Sequence, residues 1–356
     1  MRILVWHWGR RGAGPLFAQR LSEAINQLGT HQALLSLAAG AELLSGPNQP
    51  DCAWVEPTYR DVFEFILQKC LNPFLAGRTQ KKLARLQPDF AICAMPALLD
   101  QRLIKALQQQ NIPYAVIVHD AQPHPGDLLS FRLLDQERLL RGASCLITLS
   151  SHVAGELHAQ NYGQNGQKII KLWHPPFSFG AMAPPLAHGG APRVLFFGRL
   201  LPYKGLDLLA DALSLLGAAR PFIVKICGEG PATPELDRLR NLPNVTVDQR
   251  WIPESELPAL LAWSDALVLP YREASQSGVA AAALAQGRYV LATNVGGLRE
   301  QLEGQARAHL VEPNAAAIAA GLTGLFAPAH HTQTVDLTGD WLSMAAQMTA
   351  SLERMT

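Results

Sequence analysis

The chain is poor in cysteine, in net charge and in long apolar runs. Its five cysteines, Cys52, Cys70, Cys93, Cys145 and Cys227, are odd in number, and no two have CxxC spacing. That pattern indicates neither a disulfide framework nor a zinc site. Cys93, Cys145 and Cys227 sit in apolar runs as small core residues, and the usage predicts a reducing, cytoplasmic setting. The formal net charge is +1, with 30 Lys and Arg against 29 Asp and Glu, so the basic excess of a nucleic-acid binder is missing. No apolar stretch reaches bilayer length. The run Met1-Arg2-Ile3-Leu4-Val5-Trp6 meets polar and glycine residues too soon for an export signal. Membrane contact is therefore expected to be peripheral, at the inner face. No DxD-like acidic cluster is placed to hold magnesium, so chemistry without a metal or cofactor is expected.

What is present is enough apolar material for two cores: 356 residues, 48% hydrophobic and 17% charged. Short apolar runs alternate with helical patterns, the signature of parallel βαβ units. Strands are predicted at Ile3–Trp6, Ala33–Ser36, Phe90–Ala94, Tyr114–Val118 and Cys145–Leu149, with helices over Pro15–Leu28, Asp61–Leu71 and Leu128–Arg141. The scheme restarts at Arg193–Phe197 and continues through Leu206–Leu216, Phe222–Cys227, Val245–Val247, Ala266–Leu269, a helix over Val279–Gln286, and Tyr289–Ala292. Between the halves, residues 177–192 are rich in Gly, Ala and Pro and read as a linker. The expected organisation is α/β: a Rossmann-like domain over 1–176, a second over 193–335, and a final helix in 336–356.

Ligands of open α/β sheets bind beyond the carboxyl ends of the strands. In the first half that position holds Gly9-Arg10-Arg11-Gly12-Ala13-Gly14-Pro15, where Gly12 and Gly14 would let a ligand approach the backbone and helix N–H groups could meet an anion. A plain strand-to-helix turn is the alternative. His119 and Asp120 follow Tyr114–Val118; His119 could donate to a sugar hydroxyl or act as a base, with Asp120 orienting it or merely capping a helix.

In the second half, Gly198-Arg199-Leu200-Leu201-Pro202-Tyr203-Lys204-Gly205 joins a strand to a helix. Arg199 offers a planar fork and Lys204 a point charge, a pair suited to a diphosphate. Gly228-Glu229-Gly230-Pro231 ends the next strand and could lie against a nucleotide base or sugar. The loop Glu273-Ala274-Ser275-Gln276-Ser277-Gly278 opens a helix. Ser277 and Gly278 would offer N–H groups to phosphate, while Glu273 and Gln276 suit sugar hydroxyls. Either serine could instead be a simple cap.

These segments, with Val295-Gly296-Gly297-Leu298-Arg299-Glu300, resemble the GT-B glycosyltransferases of the family-four, group 1 type. The resemblance is clear over residues 193–305 and extends to the first half only by pattern. It implies two facing Rossmann-like domains with the last helix crossing back to the first. It also implies a UDP-, GDP- or ADP-sugar donor held by Arg199 and Lys204, with Gly12, Gly14 and His119 toward the transferred sugar. Retention of configuration is implied too. The family's pair of glutamates eight positions apart is incomplete: Glu273 is followed at that distance by Ala281. A subgroup with a Ser-Gln-Ser-Gly loop in place of the second glutamate is therefore expected.

The expected activity is sugar transfer to a glycan or lipid-linked saccharide, with His119, Asp120 and Glu273 as catalytic candidates. A nucleotide-sugar epimerase and a non-catalytic sugar-nucleotide-binding subunit are the alternatives. Residues 63–86 mix Phe63, Phe65, Ile66 and Leu67 with Lys69, Arg78, Lys81, Lys82 and Arg85. That mixture suits either an anionic bilayer surface or an ordinary helix against the core.

Overall fold

The computed structural model describes residues 1–46, 49–59, 61–70, 72–123, 135–177, 188–218, 220–325 and 337–355. They form two compact units: residues up to Trp173 joined by those from Thr338 onward, and residues from His174 to Leu337.

The first unit runs β1 (Arg2–His7), α1 (Ala13–Gln27), β2 (Gln32–Ala38), β3 (Trp54–Glu56), α2 (Val62–Cys70), α3 (Asn72–Leu86), β4 (Phe90–Cys93), α4 (Asp100–Gln109), β5 (Tyr114–Val118), α5 (Gln136–Arg141), β6 (Cys145–Thr148), α6 (Ser151–Ala159) and β7 (Lys168–Lys171). Its seven-stranded sheet has the order β3-β2-β1-β4-β5-β6-β7. Every pair is parallel, with Ile3 opposite both Ala33 and Phe90.

The second unit runs β8 (Arg193–Phe197), α7 (Leu206–Leu216), β9 (Ile223–Gly228), α8 (Pro234–Arg240), β10 (Val245–Gln249), α9 (Leu257–Trp263), β11 (Ala266–Leu269), α10 (Gly278–Ala285), β12 (Tyr289–Thr293), α11 (Gly296–Leu302), β13 (Ala308–Val311) and α12 (Ala315–Gly324). Its six strands are also all parallel, in the order β10-β9-β8-β11-β12-β13. Counted from the first strand of each sheet, both begin 3-2-1-4-5-6, the doubly wound order. The order reverses beside β1 in one unit and beside β8 in the other, and ligands of such sheets enter at that point.

Burial explains which strands were readable. Ile3, Leu4, Val5, Phe90, Ile92, Val116 and Ile117 are fully buried, as are Val194, Leu195, Leu267 and Leu269, so these runs are continuously apolar. The unexpected strands β3, β7 and β13 lie at sheet edges, where Lys168, Lys171 and His309 can face water without cost.

The mixed apolar and basic stretch over residues 63–86 falls on two helices, the first close to the helix expected over Asp61–Leu71. Asp61 caps the first through the Glu64 N–H at 2.8 Å. Pro73 enters the second in its first turn, where a missing N–H breaks no bond. The final helix, α13 (Leu337–Glu353), belongs with the first unit. It buries Trp341, Met344, Ala345, Met348 and Leu352, and the Trp341 ring meets Phe17 edge-on at 5.1 Å. His31 Nε2 lies 3.3 Å from Glu353.

Among the described residues no helix is long and apolar enough to cross a membrane. Most of the expected linker and the start of the expected helix Leu128–Arg141 lie outside the described residues, as do His124 and the polar run His330–Thr334.

Candidate functional site

The switch point of the second sheet is framed by the loops that leave β8 and β11. After Phe197 the chain turns at Gly198 and forms a single helical turn, Pro202–Lys204, before α7 begins. Gly205 adopts φ +67°, and a side-chain carbon there would overlap the Pro270 carbonyl oxygen. Only glycine meets both demands, the left-handed backbone and the contact. The loops are locked together by the Arg272 N–H, which donates to the Tyr203 carbonyl at 2.8 Å.

This packing positions the two expected cations differently. Arg199 is exposed, its guanidinium donating to the Tyr203 hydroxyl at 3.0 Å. Lys204 is 9% exposed, and its ammonium lies 3.7 Å from the centroid of Tyr271 and 4.9 Å from that of Tyr203. Aromatic faces offset part of the cost of taking an ammonium out of water. A charge held in so dry a place acts strongly on an anion near it.

The neighbouring strand end completes the frame. Gly228 closes β9 against the Gly198 carbonyl, which any side chain at 228 would strike. Glu229 is exposed while its carbonyl accepts from the Leu200 N–H at 2.8 Å. The backbone at 228–230 is thus committed to holding the loop after β8.

In the loop after β11, Ser277 serves as the cap of α10: its hydroxyl accepts from the Ala280 N–H at 3.2 Å. Its own N–H was expected to be free and is not. It donates to Gln301 Oε1 at 2.8 Å, while Gln301 Nε2 donates to the Ser277 carbonyl at 2.9 Å. Gln301, on α11, therefore braces this loop, as does the Gly297 N–H donating to the Ala274 carbonyl at 2.9 Å. Gly278 opens α10, Gln276 is half-buried and Glu273 is exposed. Ala281, where a second glutamate would stand, is 1% exposed.

A cavity of about 520 Å³ is lined by Tyr203, Leu206, Asp207, Thr233, Arg272 and Glu273 among others. Glu273 alone of the expected site residues reaches its wall. A cavity of about 720 Å³ in the first unit, lined by Arg141, Lys168 and Arg354 with several amides, lies at the amino ends of β6 and β7. That is the opposite sheet edge from the one that seats ligands in doubly wound sheets.

In the first unit the strand ends bring together two histidines. His119 is 7% exposed and its Nε2 donates to the Ala94 carbonyl at 2.9 Å. It meets the Phe17 ring edge-on at 5.1 Å, and burial holds its pKa below the usual value. Asp120 is half-buried, its carbonyl accepting from Gln136 Nε2 at 2.9 Å. Gly12 has φ +82° with open space where a side chain would project, whereas at Gly14 that space is filled by the imidazole of His7.

His7 was not anticipated. It is 3% exposed, and its Nδ1 donates to the Met95 carbonyl at 2.8 Å. Burial pulls its pKa down to about 4. The available signal was a polar residue just after the apolar strand Ile3–Trp6, two positions before the glycine loop that starts at Gly9.

Comparison with known proteins agrees with this geometry. Residues 191–327 match the family described as Glycosyl transferases group 1. A D-inositol 3-phosphate glycosyltransferase of Jonesia denitrificans is 29% identical over 261 residues, covering 64% of this chain and 57% of that protein. One of Pseudarthrobacter chlorophenolicus is 30% identical over 216 residues, covering 56% and 47%. The chain thus spans about half the length of these curated relatives.

Among solved structures, a sucrose-phosphate synthase of Thermosynechococcus elongatus superposes with TM-score 0.69 at 18% identity, covering 100% of this chain and 99% of that one. HepE of Anabaena, in complex with UDP and glucose, gives 0.65 at 19%, covering 99% of each chain. A UDP-GlcNAc 2-epimerase of Neisseria meningitidis gives 0.60 at 12%, covering 99% and 100%. At these identities the likeness establishes the fold: two Rossmann-like units of the kind found in GT-B glycosyltransferases.

Proposed function

We propose that this chain is a nucleotide-sugar-dependent glycosyltransferase whose second unit holds the donor diphosphate. The observation that carries the reading is the buried ammonium of Lys204, set with Arg199 in a braced loop at the switch point of the second sheet. As the bond from sugar to diphosphate breaks, negative charge grows on the leaving phosphate. Arg199 and Lys204 stabilise it from fixed positions, which is where most of the rate gain of such sites arises. Glu273, exposed in the loop after β11, takes the sugar hydroxyls, and transfer proceeds with retention. The group 1 match over residues 191–327 supports this assignment, and the complexes of HepE with UDP and glucose make UDP-sugars the first donors to try.

The test is a melting-temperature screen with UDP, GDP, ADP and their sugar conjugates, followed by product analysis with a saccharide added. A bound nucleotide raises stability by mass action. No shift with any nucleotide sinks the proposal. Inversion at C2 of the sugar without transfer would establish the epimerase instead.

The acceptor we propose is a lipid-linked saccharide at an anionic membrane face. Phe63, Ile66 and Leu67 are 75%, 56% and 45% exposed, at the i, i+3, i+4 spacing of one helix face. Phe65 turns the other way, meeting Tyr59 at 5.3 Å. The next helix exposes Arg78, Lys81 and Arg85. An apolar face beside cations suits an anionic bilayer, each cation adding about 1 kcal/mol near the surface. Flotation with anionic liposomes should recover the native chain, and Phe63→Ser or Lys81→Glu should weaken recovery. No recovery, or recovery indifferent to lipid charge and to both substitutions, would overturn the anionic-membrane proposal and reopen the case for a soluble acceptor.

A further inference from the structure

The glycine loop after β1 has a polar atom beneath it that the proposed chemistry has not used. His7 ends β1, and its ring lies under the loop: a side-chain carbon at Gly9 or Gly14 would come within 2.7 or 2.6 Å of His7 Cε1. The Met95 carbonyl can only accept, so the ring proton is on Nδ1. Nε2 is therefore a lone-pair acceptor, and among the described residues no donor reaches it. It lies against Gly14, in the first turn of α1, a fifteen-residue helix whose cap, Gly12, supplies no side-chain hydrogen bond. The first turn of that helix presents N–H donors, as all uncapped helix starts do. Donors and one fixed acceptor thus lie side by side at Gly14, and two residues earlier the space where a side chain of Gly12 would project is open.

A hydroxyl group both donates and accepts, so it satisfies such a pair where a bare phosphate oxygen, which only accepts, does not. We infer that His7 Nε2 accepts a hydrogen bond from a saccharide hydroxyl bound over this loop. The inference rests on the glycosyltransferase reading and adds to it a sugar-positioning residue in the first unit. A general-base role does not fit. Burial leaves the ring neutral down to about pH 4, so it draws protons too weakly to abstract one from a sugar at neutral pH.

Two substitutions separate this role from simple support of the loop. His7→Phe and His7→Gln both lose the Nδ1 bond to Met95. Only Gln can place an oxygen acceptor near the Nε2 position. Calorimetry with nucleoside diphosphate and with the nucleotide sugar, together with acceptor KM, gives the readout. We expect His7→Phe to lose about tenfold in affinity for one saccharide-bearing ligand, as a lost neutral hydrogen bond does, with diphosphate affinity unchanged and Gln recovering part of the loss.

A loss confined to the nucleotide sugar identifies the donor sugar as the source of the hydroxyl. A loss confined to acceptor KM identifies the acceptor. Phe and Gln variants that match each other and the native chain in both measurements overturn the inference. If the native chain binds no nucleotide sugar, the glycosyltransferase reading itself falls. The His7 assignment is then read from its ring ¹⁵N resonances against free monosaccharides, and an Nε2 signal that none of them moves overturns it.

Discussion

Lys204 and Arg199 carry the donor assignment by different means. Lys204 is held between two tyrosine rings, and Arg199 reaches out from the loop to the Tyr203 hydroxyl. Changing either to alanine should cost donor affinity and turnover about 1.5–3 kcal/mol, the usual loss for a charged hydrogen bond. Nucleotide binding unchanged in both variants would remove the diphosphate role.

Asp100 gives a second test at this scale. It is 1% exposed, it accepts from the Ala97 N–H at 2.6 Å and Trp6 Nε1 at 3.2 Å, and burial pushes its carboxyl up to about 7. The native state keeps that proton where the unfolded chain has lost it. Its stabilising contribution is therefore full below about pH 4 and lost as pH rises through about 7. His7 works the other way: its contribution is full above about pH 6.5 and lost as pH falls through about 4. The melting temperature of Asp100→Asn, followed by tryptophan fluorescence, should therefore trail the native chain by more at pH 5 than at pH 8. A gap independent of pH would contradict the buried-acid assignment.

At the scale of elements, the candidate site depends on loops braced by backbone rather than on any strand. Gly205 allows the turn before α7 to lie on the Pro270 carbonyl, and Gln301 ties α11 to Ser277 by two bonds. Gly205→Ala should lower stability by roughly 2 kcal/mol or more, since it adds an overlap to a left-handed strain penalty. It should also weaken nucleotide binding, because Lys204 is the adjacent residue. A stable variant with native affinity would show that the two loops can separate without consequence. The expected strand-loop-helix pattern was legible here because Arg193–Phe197 and Leu206–Leu216 have clear periods. The brace from Gln301 was not legible. A glutamine on an amphipathic helix reads as a solvated residue until the fold brings position 277 beside it.

For the whole molecule, the two units have separate cores, one around β8 to β12 and one around β1 to β6. The chain's last helix serves the first core, although it follows the second in sequence. Removing residues 337–356 should uncover Phe17 and its neighbours. We expect hydrogen exchange to rise across the first unit, while the second unit keeps its protection and its nucleotide affinity. Exchange unchanged in the first unit, or lost equally in both, would contradict this division.

The alternation of apolar runs and helical patterns determined, from sequence alone, two parallel α/β units, and the spacing of Arg199 and Lys204 marked the loop proposed to hold a phosphate. Continuous apolar strands announce themselves because both faces are buried. The strand order, the edge strands Lys168–Lys171 and Ala308–Val311, and the burial of Lys204 were decided only by the tertiary structure. The same holds for His7. Its place in the sequence, between two tryptophans at the end of a strand, says nothing of which ring nitrogen is bonded or where the other points. Those are set by Met95 and Gly14, residues that the fold brings to it from the loop after β4 and from the far side of a turn.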